Sequence, residues 1–176
     1  MTKVDTSGLE RQKEALIAKM KEVLGRPEVM ADVANELIDD IRYQSRRGIS
    51  IVTEEKFPEL SDNWIDQRSR VTDAKHQAFS RRRSNITVTG QLLDALRHSL
   101  IGFGKIKLYF EGQHNPYTIK GKRGKDYQTG SISNADLAEA LQDQGREFLG
   151  VRESIIPRIK KILAAAIRRS AKDFKN

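Results

Sequence analysis

A chain of 176 residues with 38% hydrophobic side chains can bury a single core of ordinary domain size, and its 12 glycines bring the apolar share near the globular norm. With no cysteine, disulfides and thiolate metal sites are excluded, and no apolar run approaches the ~20 residues of a membrane span. Charged residues reach 32% and leave a net +8, a balance that favours polyanions or acidic protein surfaces as partners and says nothing about fold.

The first residues, MTKVDTSGLERQKEAL, carry no apolar h-region, so synthesis in a reducing cytoplasm is expected. Residues 8–24 read as an amphipathic helix. Ser7 is placed as N-cap with Glu10 three residues on, and Leu9, Leu16, Ile17, Met20, Val23 and Leu24 share a stripe. Gly25 ends it and Pro27 opens a second helix to about Arg47, with Val29, Val33, Leu37, Ile38 and Ile41 on its apolar face and Gly48 as its stop. Cations and carboxylates balance over 1–47, nine of each, so the whole excess charge lies beyond.

Residues 49–88 are poor in apolar side chains. Pro58 and the Ser61-Asp62-Asn63 run predict loops and short turns. From Ile65 to Arg83 the chain bears Arg68, Arg70, Lys75, Arg81, Arg82 and Arg83 against Asp66 and Asp73. So long a polar connection is unusual within a compact domain and suits an insertion that folds on a partner. Phe57 and Trp64 stand out within it. Each is a candidate docking anchor on a neighbour, or else a pin holding the loop to its own core.

A β-rich centre follows. Lys105 to Glu111 alternates as a half-buried strand. From Gln91 to Leu100 the leucines Leu92, Leu96 and Leu100 satisfy both periods; strand is favoured, with Gly102-Phe103-Gly104 closing a hairpin. Residues 112–133 hold Gly112, Pro116, Gly121, Gly124 and Gly130 and the basic group Lys120, Lys122, Arg123 and Lys125, which predicts a long loop or β-arm. Ser133 or Asn134 caps a short helix over Ala135–Gln144, closed by Gly145. A brief extended segment, Arg146–Val151, leads to a closing amphipathic helix from Glu153 to about Lys172. Its stripe is Ile155, Ile156, Ile159, Ile162, Leu163, Ala166 and Ile167, and Arg168, Arg169 and Lys172 suit its C-terminal end.

Together these elements predict an α+β fold: a small antiparallel β-sheet packed by amphipathic helices, with an N-terminal helical pair over 1–48, a polar basic extension over 49–88, and an α+β core over 89–176. They form one folded unit in this reading.

No catalytic constellation is evident. His76, His98 and His114 stand apart, without the converging spacing that a metal site needs. Asp39 and Asp40, neighbours on a helix, diverge rather than pair. Gly121 to Gly124 lacks the spacing and following helix of a phosphate-binding loop. Neither an enzyme nor a cofactor is expected.

Two segments carry a resemblance. Thr89-Gly90-Gln91-Leu92-Leu93-Asp94-Ala95-Leu96 is similar to the Thr-Gly-x-Leu start of the first core strand in the tail-completion, or virion-morphogenesis, proteins of tailed bacteriophages. Gly145-Arg146-Glu147-Phe148-Leu149-Gly150 resembles that family's Arg-x-Phe-Leu-Gly segment before a closing amphipathic helix. The order between them, hairpin, loop and short helix, is similar as well, and the resemblance covers residues 85–172, about half the chain. The chain departs from the family in its long helical pair, its basic segment at 65–83, and Asp136-Leu137-Ala138 where an aromatic-alanine pair often opens the short helix.

The resemblance implies a non-catalytic structural virion protein. It would be made in the host cytoplasm and form a homo-oligomeric ring at the head–tail junction, between portal or adaptor and the tail tube or tail terminator. In that setting Arg68, Arg70, Arg81, Arg82 and Arg83, with Lys120, Lys122, Arg123 and Lys125, are candidates for subunit interfaces or for sequence-independent contact with packaged DNA. A solvated basic loop is the plainer alternative. A free, non-enzymatic nucleic-acid-binding protein is the second functional expectation.

Overall fold

The computed structural model describes residues 7–71, 91–121 and 124–172, the side chains of residues 7–9, 11–12 and 171–172 excepted. Helix α1 (Ser7–Gly25) and helix α2 (Pro27–Arg46) form the N-terminal pair, followed by α3 (Asp62–Ser69) and the single turn α4 (Gln91–Asp94). Then come β1 (Leu96–Leu100), β2 (Ile106–Phe110), β3 (Gln113–His114), β4 (Thr118–Ile119), β5 (Tyr127–Gln128) and β6 (Ile132–Ser133). Helix α5 (Asn134–Asp143), a 3-10 turn over Glu153–Ile155 and α6 (Ile156–Lys172) complete the chain. The class is α+β, with its strands in three antiparallel two-stranded ladders: β1–β2, β3–β6 and β4–β5. None of the described helices is long and apolar enough to cross a membrane.

By the density of its contacts the chain divides into two compact units. The first takes Met1–Glu36, His98–Lys107 and Ile156–Asn176. Here α1 packs along α6, with Val23 wholly buried. Val29, Met30, Val33 and Ala34 bury the inner face of α2. At the α1–α2 joint Arg26 donates to Glu22 at 2.6 Å and to the buried Ser170 hydroxyl at 3.2 Å, tying the ends of α1 and α6 together. Arg158 near the start of α6 pairs with Glu36 at 2.6 Å. The hairpin tip closes with the Ile101 N–H donating to the Lys105 carbonyl at 3.0 Å. Gly102 and Gly104 both lie in the left-handed region, at φ of 88° and 64°, where side chains are strained. Further back along α1, Leu16, Ile17 and Met20 are exposed, so its apolar stripe outruns its cover.

The second unit takes Leu37–Arg97 and Leu108–Ile155. One cluster joins Phe57, Leu92, Leu93, Ala138 and Phe148; a second joins Ile38, Ile41, Ile51 and Leu96. Phe110 and Leu149 pack against both. Each fully buried side chain of this size contributes about 1.5–3 kcal/mol. The rings of Phe110 and Phe148 meet edge to face, centroids 5.9 Å apart.

The stretch from Gln91 to Leu100, expected as strand, is half helix: the turn α4 precedes the strand β1. Arg42 on α2 decides this locally, since its guanidinium donates to the carbonyls of Leu93 at 3.0 Å and Leu96 at 3.5 Å and so satisfies the turn's C-terminal end. Helix α5 starts as expected, with the Ser133 hydroxyl accepting from Asp136 N–H at 3.2 Å. Arg146–Val151, expected to be extended, is irregular and forms no strand.

Candidate interface

The basic candidates that the structure describes lie in the second unit, on α3 and the β4–β5 ribbon. Ser61-Asp62-Asn63 does not make a turn. The Ser61 hydroxyl accepts from Trp64 N–H at 3.3 Å and starts α3 instead, because the residues that favour turns are those that cap helices. At the far end Arg70 donates from Nη2 to the Asp66 carboxylate at 3.0 Å and from Nη1 to the Lys120 carbonyl at 2.8 Å. The Lys120 N–H returns a bond to the Arg70 carbonyl at 3.0 Å, and Val71 bridges Ile119. Arg70 is thus a strut fastening α3 to β4.

Arg68 is more than half withdrawn from water. Burial lowers its guanidinium pKa, opposed by the nearby Tyr117 phenol, whose own pKa burial raises. His114, 8% exposed, meets Tyr117 edge to face at 6.0 Å, and its Nδ1 lies 3.1 Å from the Asn115 carbonyl. Burial holds its pKa below the usual imidazole value. Lys120 and Lys125 are exposed along the ribbon. Between them Gly121 is obligatory, since a Cβ there would fall 1.7 Å from the Lys125 carbonyl oxygen. Arg81, Arg82, Arg83, Lys122 and Arg123 lie outside the described residues.

Of the two aromatic anchors, Phe57 is 4% exposed and belongs to its own core, pinning the 49–60 loop. Trp64 on α3 remains half-buried.

The Arg146–Gly150 segment works as a buckle. Phe148 is wholly buried, and the Glu147 carbonyl accepts from Ile51 N–H at 2.9 Å and from the Ser50 hydroxyl at 3.1 Å. A Cβ on Gly150 would approach Ile51 Cγ2 to 2.9 Å and Val52 Cγ2 to 3.0 Å. Two residues on, Arg152 grips Asp40 with two hydrogen bonds of 2.7 and 2.6 Å. These bonds raise the guanidinium pKa against the opposing pull of burial. With its amide oxygen turned toward Arg152, an orientation assigned from its partners, Gln44 accepts at 3.0–3.2 Å. Asp39 points to solvent, 3.9 Å from Arg42, so the two adjacent aspartates do diverge. Among the described residues no three His, Asp or Glu side chains gather as a metal site would require.

One charged surface was not singled out from the sequence. Helix α6 carries six Lys and Arg and no carboxylate, and Lys160, Lys161, Arg168 and Arg169 are exposed. The sequence signal is the absence of acids along this helix, which the pairing of Arg168, Arg169 and Lys172 with the helix dipole does not require. Comparison with protein families, with curated proteins and with solved structures found no match to this chain.

Proposed function

We propose that the chain is a structural subunit of a tailed-phage neck, a tail-completion protein that joins its copies in a ring between portal or adaptor and tail. The observation that supports this reading is the order of elements after the turn α4, which itself stands where the resemblance implies the start of a strand: hairpin, ribbon, short helix, Phe-Leu-Gly buckle and closing amphipathic helix. That order is the one the resemblance implies, and the buckle gives Phe148 and Gly150 a physical reason to stand where they do. The ribbon and α3, braced by Arg70 and bearing exposed Lys120 and Lys125, supply polar surface for neighbouring subunits. In this role the virion is the protein's final location.

Native mass spectrometry and electron microscopy of the purified chain, alone and mixed with portal and tail proteins, test the reading. A ring, or density at the head–tail junction, supports it. A strict monomer that joins no particle ends it. A free nucleic-acid-binding protein is the second reading, favoured by the cationic face of α6; selective binding to one DNA sequence over others would mark it out.

A further inference from the structure

The net charge is not spread evenly. The first unit holds 15 Lys and Arg against 8 Asp and Glu, a net +7, which leaves +1 for the second. Within the first unit the residues of α1 and α2 are close to neutral, so the excess comes from α6 and the residues that follow it, with Lys105 and Lys107 of the hairpin.

On a helix turning about 100° per residue, Lys161 and Arg168 stand opposite Ile159, and Lys160 and Arg169 lie a quarter turn to either side. The apolar stripe through Ile159, Ile162, Leu163 and Ile167 is partly covered, and the four cations occupy the other half of the circumference, exposed. None of the four forms an ion pair among the described residues; Arg158 alone on this helix does so, with Glu36. Exposed Ala164 lies within the same half, between Lys161 and Arg168 along the axis.

We propose that this outer face of α6 is a duplex-binding surface, on which Lys160, Lys161, Arg168 and Arg169 contact nucleic-acid phosphates without reading sequence. The arrangement suits a duplex for three reasons. Lys160 and Arg169, on the two flanks of the face, match the two phosphate ridges bordering a major groove, which is wide enough to admit an α-helix. From Lys160 to Arg169 the helix advances about 13.5 Å, a length over which a duplex presents roughly eight charges. The exposed face bears no Asn or Gln to pair with adenine, and its long Lys and Arg side chains can reach phosphates to either side; a preference of Lys161 or Arg168 for guanine would show as discrimination between duplexes. A bilayer is a poorer match, because an interfacial helix must offer its apolar side, whereas here the cations point away from a stripe that is already partly covered. This inference rests on the neck reading only for where a duplex would be met, in a channel; the binding itself belongs to the free chain.

The test is fluorescence anisotropy with two labelled duplexes of unrelated sequence, across about 50 to 200 mM salt. The full chain is compared with a Lys160→Gln, Lys161→Gln, Arg168→Gln, Arg169→Gln variant and with a Lys120→Gln, Lys125→Gln variant. The slope of log K against log salt should shrink by about 3 to 4 in the α6 variant, since each phosphate contact contributes about 0.9. Both duplexes should lose affinity alike, and the ribbon variant should keep most of its slope. Circular dichroism checks helix content, and the two halves of the α6 variant, made separately, replace it should the four changes together unfold the chain.

An unchanged slope, a loss confined to the ribbon variant, discrimination between the duplexes, or equal competition by polyglutamate would each overturn the proposal. If the chain binds duplex through α6 but enters no particle, the neck reading falls and this one stands. If it enters the neck while the slope ignores the four substitutions, the reverse holds.

Discussion

Arg152 reaches across 112 residues of chain to hold both oxygens of Asp40, whose side chain is 3% exposed while that of Arg152 is 20% exposed. The carboxylate is therefore the more deeply committed partner, and the guanidinium keeps a route to water.

That asymmetry makes the two single substitutions unequal. Arg152→Ala leaves a buried carboxylate without its guanidinium and should cost about 3–5 kcal/mol. Asp40→Ala leaves a cation that can turn outward, and should cost less. The double variant Asp40→Leu, Arg152→Met should recover much of the loss, because a well-packed apolar pair often equals a buried ion pair. Urea unfolding of the three variants checks the order.

At the buckle, Gly150→Ala places a methyl 2.9 Å from Ile51 Cγ2 and 3.0 Å from Val52 Cγ2. Overpacking of this kind should destabilise by about 1–3 kcal/mol. Thermal unfolding should show it as a lowered midpoint, while Gly130→Ala, with open space around it, should leave the midpoint nearly unchanged.

Acid should act through His114. Burial lowers its folded pKa below the unfolded value of 6.5, so the folded state binds fewer protons. Its contribution to stability is therefore fully present above about pH 6.5 and is lost as pH falls below that value toward the folded pKa, at up to about 1.4 kcal/mol per pH unit. The pH dependence of unfolding in His114→Phe, subtracted from that of the parent, should isolate this fall. A flat difference between pH 7 and 5 would remove the histidine from the account.

Arg70→Met should loosen α3 against the ribbon, to which the backbone bonds of Arg70 and Val71 still join it, with little effect on the core. The lost bonds to Asp66 and the Lys120 carbonyl lie at the surface and should cost about 1 kcal/mol. Hydrogen exchange should rise over residues 62–71 and 118–121 and stay unchanged at Phe148.

How much of this was legible depends on whether local chemistry and tertiary contact agree. Helices α1, α2, α5 and α6 were readable because their caps, glycine stops and apolar stripes all point one way. At Gln91–Leu100 the leucine spacing fitted both periods, and Arg42, some fifty residues upstream, supplied the missing partner for a helical turn. Ser61-Asp62-Asn63 failed for a related reason: turn and cap share their chemistry, so these residues alone do not choose between them. The basic candidates were legible as charge but not as posture. Arg68 and Arg70 are drawn into packing, while the acid-free face of α6 stayed hidden behind its helical period.

Phe110 and Leu149 each touch both apolar clusters of the second unit. These two side chains join the clusters, so one should not loosen while the other stays shut. Heat should therefore find one melting event in this region rather than two, and a protease probing the native state should meet either a closed body or a fully opened chain.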